Sequence, residues 1–283
     1  MIGSDMSRIL VYPSQNTEPF QIYYSRWRKK NPRPTRRKYL DIHGDFFHPS
    51  RWRGNDDDRR ELEEYLAEQD PEGHYYAVIS DNKRHIRWPR NTMFFQESGA
   101  CSAEDCESGI IIPFFVNPRR EPDLHRVRST LVNFIGNSET HPCRSEMIRQ
   151  FQNFGNAVIH DGIHIHHEGY YNIMEQSVFT LCPRGHEISS FRLYEALHFG
   201  SIPVYVSDIH ALPFQGFLNW EDFALILKME DIGNLQSILL SLSSQKIKDM
   251  QEAGRYAVKN VINEEFTCKF ISEVADFPIG AIP

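Results

Sequence analysis

Six residues between positions 184 and 195 have the types and spacing to hold a phosphorylated ligand. Arg184 carries a planar fork of donors matched to phosphate oxygens. Gly185 and His186 follow it in a turn. Ser189 or Ser190 can cap a helix, and a helix start offers free amides and the positive end of a dipole to an anion. Glu195 lies five residues past Ser190, in the second turn, where a carboxylate could accept bonds from ribose hydroxyls. The plainer reading is a surface arginine beside an ordinary helix cap.

The elements that must position these groups are legible on either side. Phe179, Thr180, Leu181 and Cys182 form a short, mostly apolar strand, which Pro183, Arg184 and Gly185 break into a loop. Leu193, Ala196 and Leu197 recur at helical spacing and face a core. Gly200 suits the left-handed position that ends a helix. Ile202 to Val206 is a second apolar strand, with Asp208 just past its end. The whole is one βαβ unit of a parallel sheet.

The rest of the chain extends this pattern. Strands are predicted over 9–12, 75–80, 92–96, 110–115, 130–135, 157–160 and 223–227, and 38–47 reads as a strand followed by a loop. Helices are predicted over 56–66, 145–154, 170–176, 235–241 and 246–263, and 20–24 reads as a helix or an edge segment. Charge and proline concentrate around 118–125, which suits a linker. Two α/β runs therefore predict two domains, 1–122 and 123–283. The stretch 26–38 carries eight Lys or Arg. It reads either as a patch for an anionic glycan, phosphate or nucleic acid, or as a solvated loop, and the negative charge of the chain favours the loop.

The run 179–208, FTLCPRGHEISSFRLYEALHFGSIPVYVSD, resembles the signature of the exostosin-type glycosyltransferases, glycosyltransferase family 47. Tyr171, Met174 and Ser177 fall at that family's spacing upstream, and a looser resemblance extends from about residue 45 to about residue 265. The resemblance implies a compact glycosyltransferase-B fold: α/β, two Rossmann-like doubly wound domains facing a cleft, the first for the acceptor and the second for a nucleotide sugar. It implies inversion at the anomeric carbon without a metal cofactor, with Glu195 on the donor ribose. The donor set is Arg184, Gly185, His186, Ser189, Ser190 and Glu195, joined by Gly136 and Arg144 from the segment that opens the second domain and by Arg192, which reads equally as a phosphate contact or as an exposed helix charge. Within the family, the chain is similar to a xylosyltransferase of viral type. That implies UDP-xylose as donor and a fucose-bearing N-glycan as acceptor. The chain is short for the fold, so its first domain must be abbreviated.

Glycosyl transfer also needs a base for the acceptor hydroxyl. Asp81, at the end of a predicted strand, ranks first, then Asp45, then His43. Asp56, Asp57 and Asp58 begin a helix rather than closing a strand, so no metal-binding Asp-x-Asp is read there. The group His160, His164, His166 and His167 reads as a polar loop rim rather than a metal site.

At 283 residues, with 40% hydrophobic and 24% charged, the chain is long enough for two small cores. A net charge of −7 argues against general nucleic-acid binding. No apolar run approaches the ~18 residues of a membrane span. The five cysteines form no CxxC pair, and with no signal peptide visible a reduced, cytoplasmic setting is expected. Two rivals remain: a non-catalytic sugar- or UDP-binding module on the same fold, and a sugar-phosphate enzyme that ignores UDP.

Overall fold

The structure, a computed structural model, describes residues 20–41, 56–79, 87–97, 109–116, 118, 120–163, 165–186, 188–214 and 216–278. In chain order the elements are α1 (Phe20–Lys30), β1 (Lys38–Tyr39), α2 (Asp56–Ala67), β2 (His74–Ile79), β3 (Asn91–Glu97), β4 (Ile110–Ile112), β5 (Thr130–Gly136), α3 (Pro142–Arg149), β6 (Ala157–Asp161), α4 (His167–Gln176), β7 (Ser177–Pro183), α5 (Phe191–His198), β8 (Ile202–Val206), β9 (Leu225–Leu227), α6 (Leu235–Ser241), α7 (Ser244–Asn260) and α8 (Glu264–Asp276). The strand expected over 9–12 and most of that over 38–47 lie outside the described residues.

The chain forms two compact units, and neither is a single stretch. One gathers the described residues of 18–115, 209–219 and 259–283; the other those of 116–208 and 220–258. This replaces a single cut after residue 122. The reason is packing. The Phe214 amide donates to the Ile111 carbonyl at 3.0 Å, and α8 lays Phe270, Ile271 and Val274 on the aromatic core of the first unit.

In the first unit β1, β2, β3 and β4 lie in that order, all parallel. One face carries Tyr76, Val78 and Phe95 against α1 and α8; the other buries Tyr75, Ala77 and Ile79 with Leu62 and Leu66 of α2. The Tyr24 hydroxyl lies 3.0 Å from that of Tyr76 and 3.3 Å from Ser272 Oγ. The first five residues of the basic stretch 26–38 are helix, not loop. Its charges are largely tied down: Lys29 pairs with Asp41, Arg33 with Asp276, and Arg37 donates to the carbonyls of Ala275 and Phe277.

The second unit is a five-stranded parallel sheet ordered β6-β5-β7-β8-β9. Alternation splits its strands as period two requires. Val132, Phe134, Phe179, Leu181, Ile202, Val204 and Val206 join Cys143 and Met147 of α3, Leu235 and Leu239 of α6, and Met250 of α7. Ile135 packs instead with Tyr170, Tyr171 and Met174 of α4 and with Phe199. Helices thus cover both faces.

Two boundaries correct the sequence reading. The helix expected over 145–154 begins at Pro142, because proline is pre-set for the first helical position and His141 caps it through Nδ1, which accepts from the Cys143 amide. The helix expected over 246–263 ends at Asn260, and α8 follows, capped by Asn263, whose Oδ1 accepts from the Phe266 amide at 2.9 Å.

A strap over 120–128 is clamped to α4. Glu175, fully buried, accepts from Arg120 at 2.7 and 2.9 Å, from Arg126 at 3.2 Å and from the Asp123 amide at 2.7 Å. Burial pushes the Glu175 carboxyl up, and these bonds and the arginine charges outweigh it, leaving its pKa below the ordinary value. Arg128 donates to the carbonyls of Met174, Glu175 and Ser177, satisfying the last turn of α4.

Candidate active site

The order of the second sheet sets where a ligand belongs. From β5 the chain moves to β6 on one side, then crosses back to β7 on the other. Ligands of open parallel sheets sit outside the carboxyl ends of the strands at such a reversal. Here that point lies between Gly136, which ends β5, and Pro183, which ends β7.

Arg184 follows β7 directly. Its amide continues the ladder to the Val206 carbonyl at 3.0 Å, which fixes the backbone that aims the side chain. Its Nη1 reaches Asp208 Oδ1 at 2.6 Å; Nε and Nη2 lie 3.4 Å from the carbonyls of Gly185 and His186. The residue is buried, while the Asp208 side chain is 48% exposed. Burial raises the Asp208 carboxyl, but the Arg184 bond and charge win and hold it below its ordinary value.

Arg144 bridges the reversal. Its Nε donates to the Arg184 carbonyl at 2.8 Å and its Nη1 to the Asn137 carbonyl at 3.0 Å, so it joins the exit of β5 to the exit of β7. Gly185 makes room for it: a Cβ there would lie 2.5 Å from Arg144 Nη2. Arg192 does the corresponding work from α5. Its Nε donates to the Ile135 carbonyl at 3.0 Å, its Cζ lies 4.8 Å from the centre of the Phe134 ring, and a Cβ on Gly136 would collide with its guanidinium. The sequence left Arg192 open between a contact and an exposed helix charge; it is fully buried.

Ser190 caps α5, its Oγ accepting from the Arg192 amide at 3.3 Å. Ser189 is buried, and its hydroxyl meets no hydrogen-bonding partner among the described residues. Glu195 is not an exposed helical carboxylate: it is fully buried and accepts from the Tyr170 hydroxyl at 2.5 Å. His186 is exposed. On the β6 side, Ser138 donates its amide and hydroxyl to Asp161 at 2.8 and 2.6 Å, pinning the turn after β5.

The structure therefore gathers Gly136, Arg144, Arg184, Gly185, Ser190 and Arg192 around the reversal. Asp81, Asp45 and His43, the expected bases, lie outside the described residues, as do Glu187 and His164. Sequence reasoning missed three groups. Asp208 was visible only as the residue after β8. His141 stands beside Arg184; burial first, then the charge of Arg184, lowers its pKa. Glu97 ends β3 at the carboxyl edge of the first sheet, and burial alone pushes its carboxyl up to about 8. Among the described residues no group of three or more His, Cys, Asp or Glu side chains is arranged to hold a metal ion, and no helix is long and apolar enough to cross a membrane. Cys143, Cys182 and Cys268 are buried free thiols.

Comparison with known proteins bears on what this edge does. Residues 67–242 match the Exostosin GT47 domain. The chain is 32% identical over 116 residues to the probable glycosyltransferase At5g03795 of Arabidopsis thaliana, covering 41% of this chain and 22% of that one. It is 32% identical over 155 residues to the probable beta-1,4-xylosyltransferase IRX10 of the same plant, covering 50% and 37%. It is 34% identical over 86 residues to the Exostosin-1 homolog of Caenorhabditis elegans, covering 30% and 22%. The matched part thus spans well under half the length of these relatives. Among solved structures it resembles TarM (TM-score 0.43, 9% identity, 72% of this chain and 51% of that one) and OtsA (TM-score 0.43, 12%, 82% and 79%).

Proposed function

This chain belongs to the exostosin GT47 family, and we propose that it transfers a sugar from a nucleoside diphosphate donor to a glycan hydroxyl, inverting the anomeric carbon without a metal. The observation that carries this reading is the edge at the β5/β7 reversal. There Arg184 and the capped amino end of α5, with the buried Ser189 hydroxyl beside it, offer donors to a diphosphate. Leaving-group stabilisation by fixed donors can replace a metal ion. Arg184, Ser189 and Ser190 take the phosphates. Arg144 and Arg192 hold the two strand exits in register, and Gly136 and Gly185 give them room. Glu195 takes the ribose, and His186 faces the donor sugar.

The acceptor proton goes to a carboxylate or imidazole of the β1–β4 unit. Asp81 remains first, before Asp45 and His43, and Glu97 joins them as a buried carboxyl of raised basicity at a strand end. Xylose is the proposed sugar, supported by the likeness to a beta-1,4-xylosyltransferase; relatives described as glucuronosyltransferases make glucuronate the alternative. The proposed acceptor is fucose of an N-glycan.

The test is a screen of UDP-sugars, with chelator present, for release of UDP with and without glycan acceptors. UDP-xylose turnover that survives the chelator is the expected result. A protein that binds UDP but turns over no donor is a binding module, and one indifferent to UDP refutes the nucleotide reading altogether.

A further inference from the structure

The Arg184–Asp208 pair has an unusual distribution of water. Arg184 is buried, with a side chain 9% exposed, but the carboxylate that neutralises it is 48% exposed. Among the described residues Arg184 is the one cation that bonds Asp208; its own amide and the His141 ring, whose pKa burial and Arg184 already depress, lie nearby. A half-exposed carboxylate keeps much of its hydration, so Asp208 can leave at small cost to itself, provided another anion takes its place on the buried guanidinium. The guanidinium, by contrast, is fixed in place by its backbone and by the carbonyls of Gly185 and His186.

We infer that Asp208 is an exchangeable counter-ion: it neutralises Arg184 until the donor's diphosphate takes its place, and it returns to Arg184 to expel the nucleoside diphosphate product. This rests on the nucleotide reading above and adds to it a residue on which release depends. A permanent neighbour of like charge to the phosphates weakens their binding, which serves turnover when the product is the more highly charged species.

The experiment is calorimetric titration of UDP, UMP and uridine into the whole protein and into its Asp208→Asn and Asp208→Ser variants at neutral pH. Removing one negative charge a few ångströms from a diphosphate predicts UDP binding about tenfold tighter. The gain is smaller for UMP and absent for uridine, and added salt shrinks it. A merely structural Asp208 predicts equal or weaker UDP binding in both variants, and that result overturns the counter-ion role while leaving the nucleotide site standing. Tightening of uridine as much as UDP also overturns it, since the effect would not then act on phosphate. Failure of the unaltered protein to bind UDP at all overturns both readings together.

Discussion

Two arginine clusters in the β5–β9 unit differ in where their carboxylate sits. At α4, Arg120 and Arg126 converge on Glu175, which is fully buried; at the strand edge, Arg184 meets Asp208, which is half in water. Both carboxylates are held below their ordinary pKa by arginine. Their energetics are nonetheless opposite in kind. A fully buried carboxylate cannot lose its partners without being stranded, whereas a half-exposed one trades its partner for water. The first cluster is a clamp, and the second is where we propose that the donor binds.

The comparison is most directly broken at Glu175. Glu175→Gln removes the charge that four bonds converge on, although Arg120 keeps Glu168, and is expected to cost about 3–5 kcal/mol in urea unfolding, with UDP affinity of the folded protein unchanged. The lowered pKa of Glu175 means that its stabilisation is complete above the ordinary carboxylate value and is lost as pH falls through the lowered one. The gap between variant and wild type should therefore close in acid. A gap independent of pH would show the clamp to be packing, not charge.

Glu97 sharpens the contrast because burial alone acts on it. Its folded pKa, about 8, lies above the ordinary value, so its own contribution to stability is fully present below that ordinary value and is lost as pH rises to about 8. Glu97→Gln should be more stable than wild type at pH 9, by up to about 5 kcal/mol, and match it near pH 4, as thermal scans at the two pH values would show. At the edge cluster, Arg184→Ala is expected to weaken UDP binding about 10- to 100-fold, the worth of a charge-assisted bond, while moving the urea midpoint little. The smallest effect belongs to Ser190→Ala, about 1 kcal/mol of stability through the lost cap.

Much of the edge was readable in advance. The strand, turn, capped helix and Gly200 exit follow from local rules, and Gly200 does adopt φ 71°. Leu193, Ala196 and Leu197 are buried as their spacing required. What escaped was non-local. Arg144 and Arg192 act by reaching backbone carbonyls 40 and 57 residues away, and no local pattern encodes such a reach. Glu175 looked like any helical glutamate because its partners stand 49 and 55 residues earlier. The helix α8 was different: Asn263 followed by Glu264 and Glu265 is a legible cap, with Phe266, Phe270 and Val274 behind it at helical spacing.

That last helix has a consequence for how the chain is made. The aromatic layer formed by Phe20, Tyr24, Tyr76 and Phe95 finds its cover in residues translated long afterwards. During synthesis the earlier half must wait, greasy and half dressed, while the β5–β9 unit has every strand and helix it needs as soon as α7 leaves the ribosome. The unit whose described strands come first along the chain is completed last.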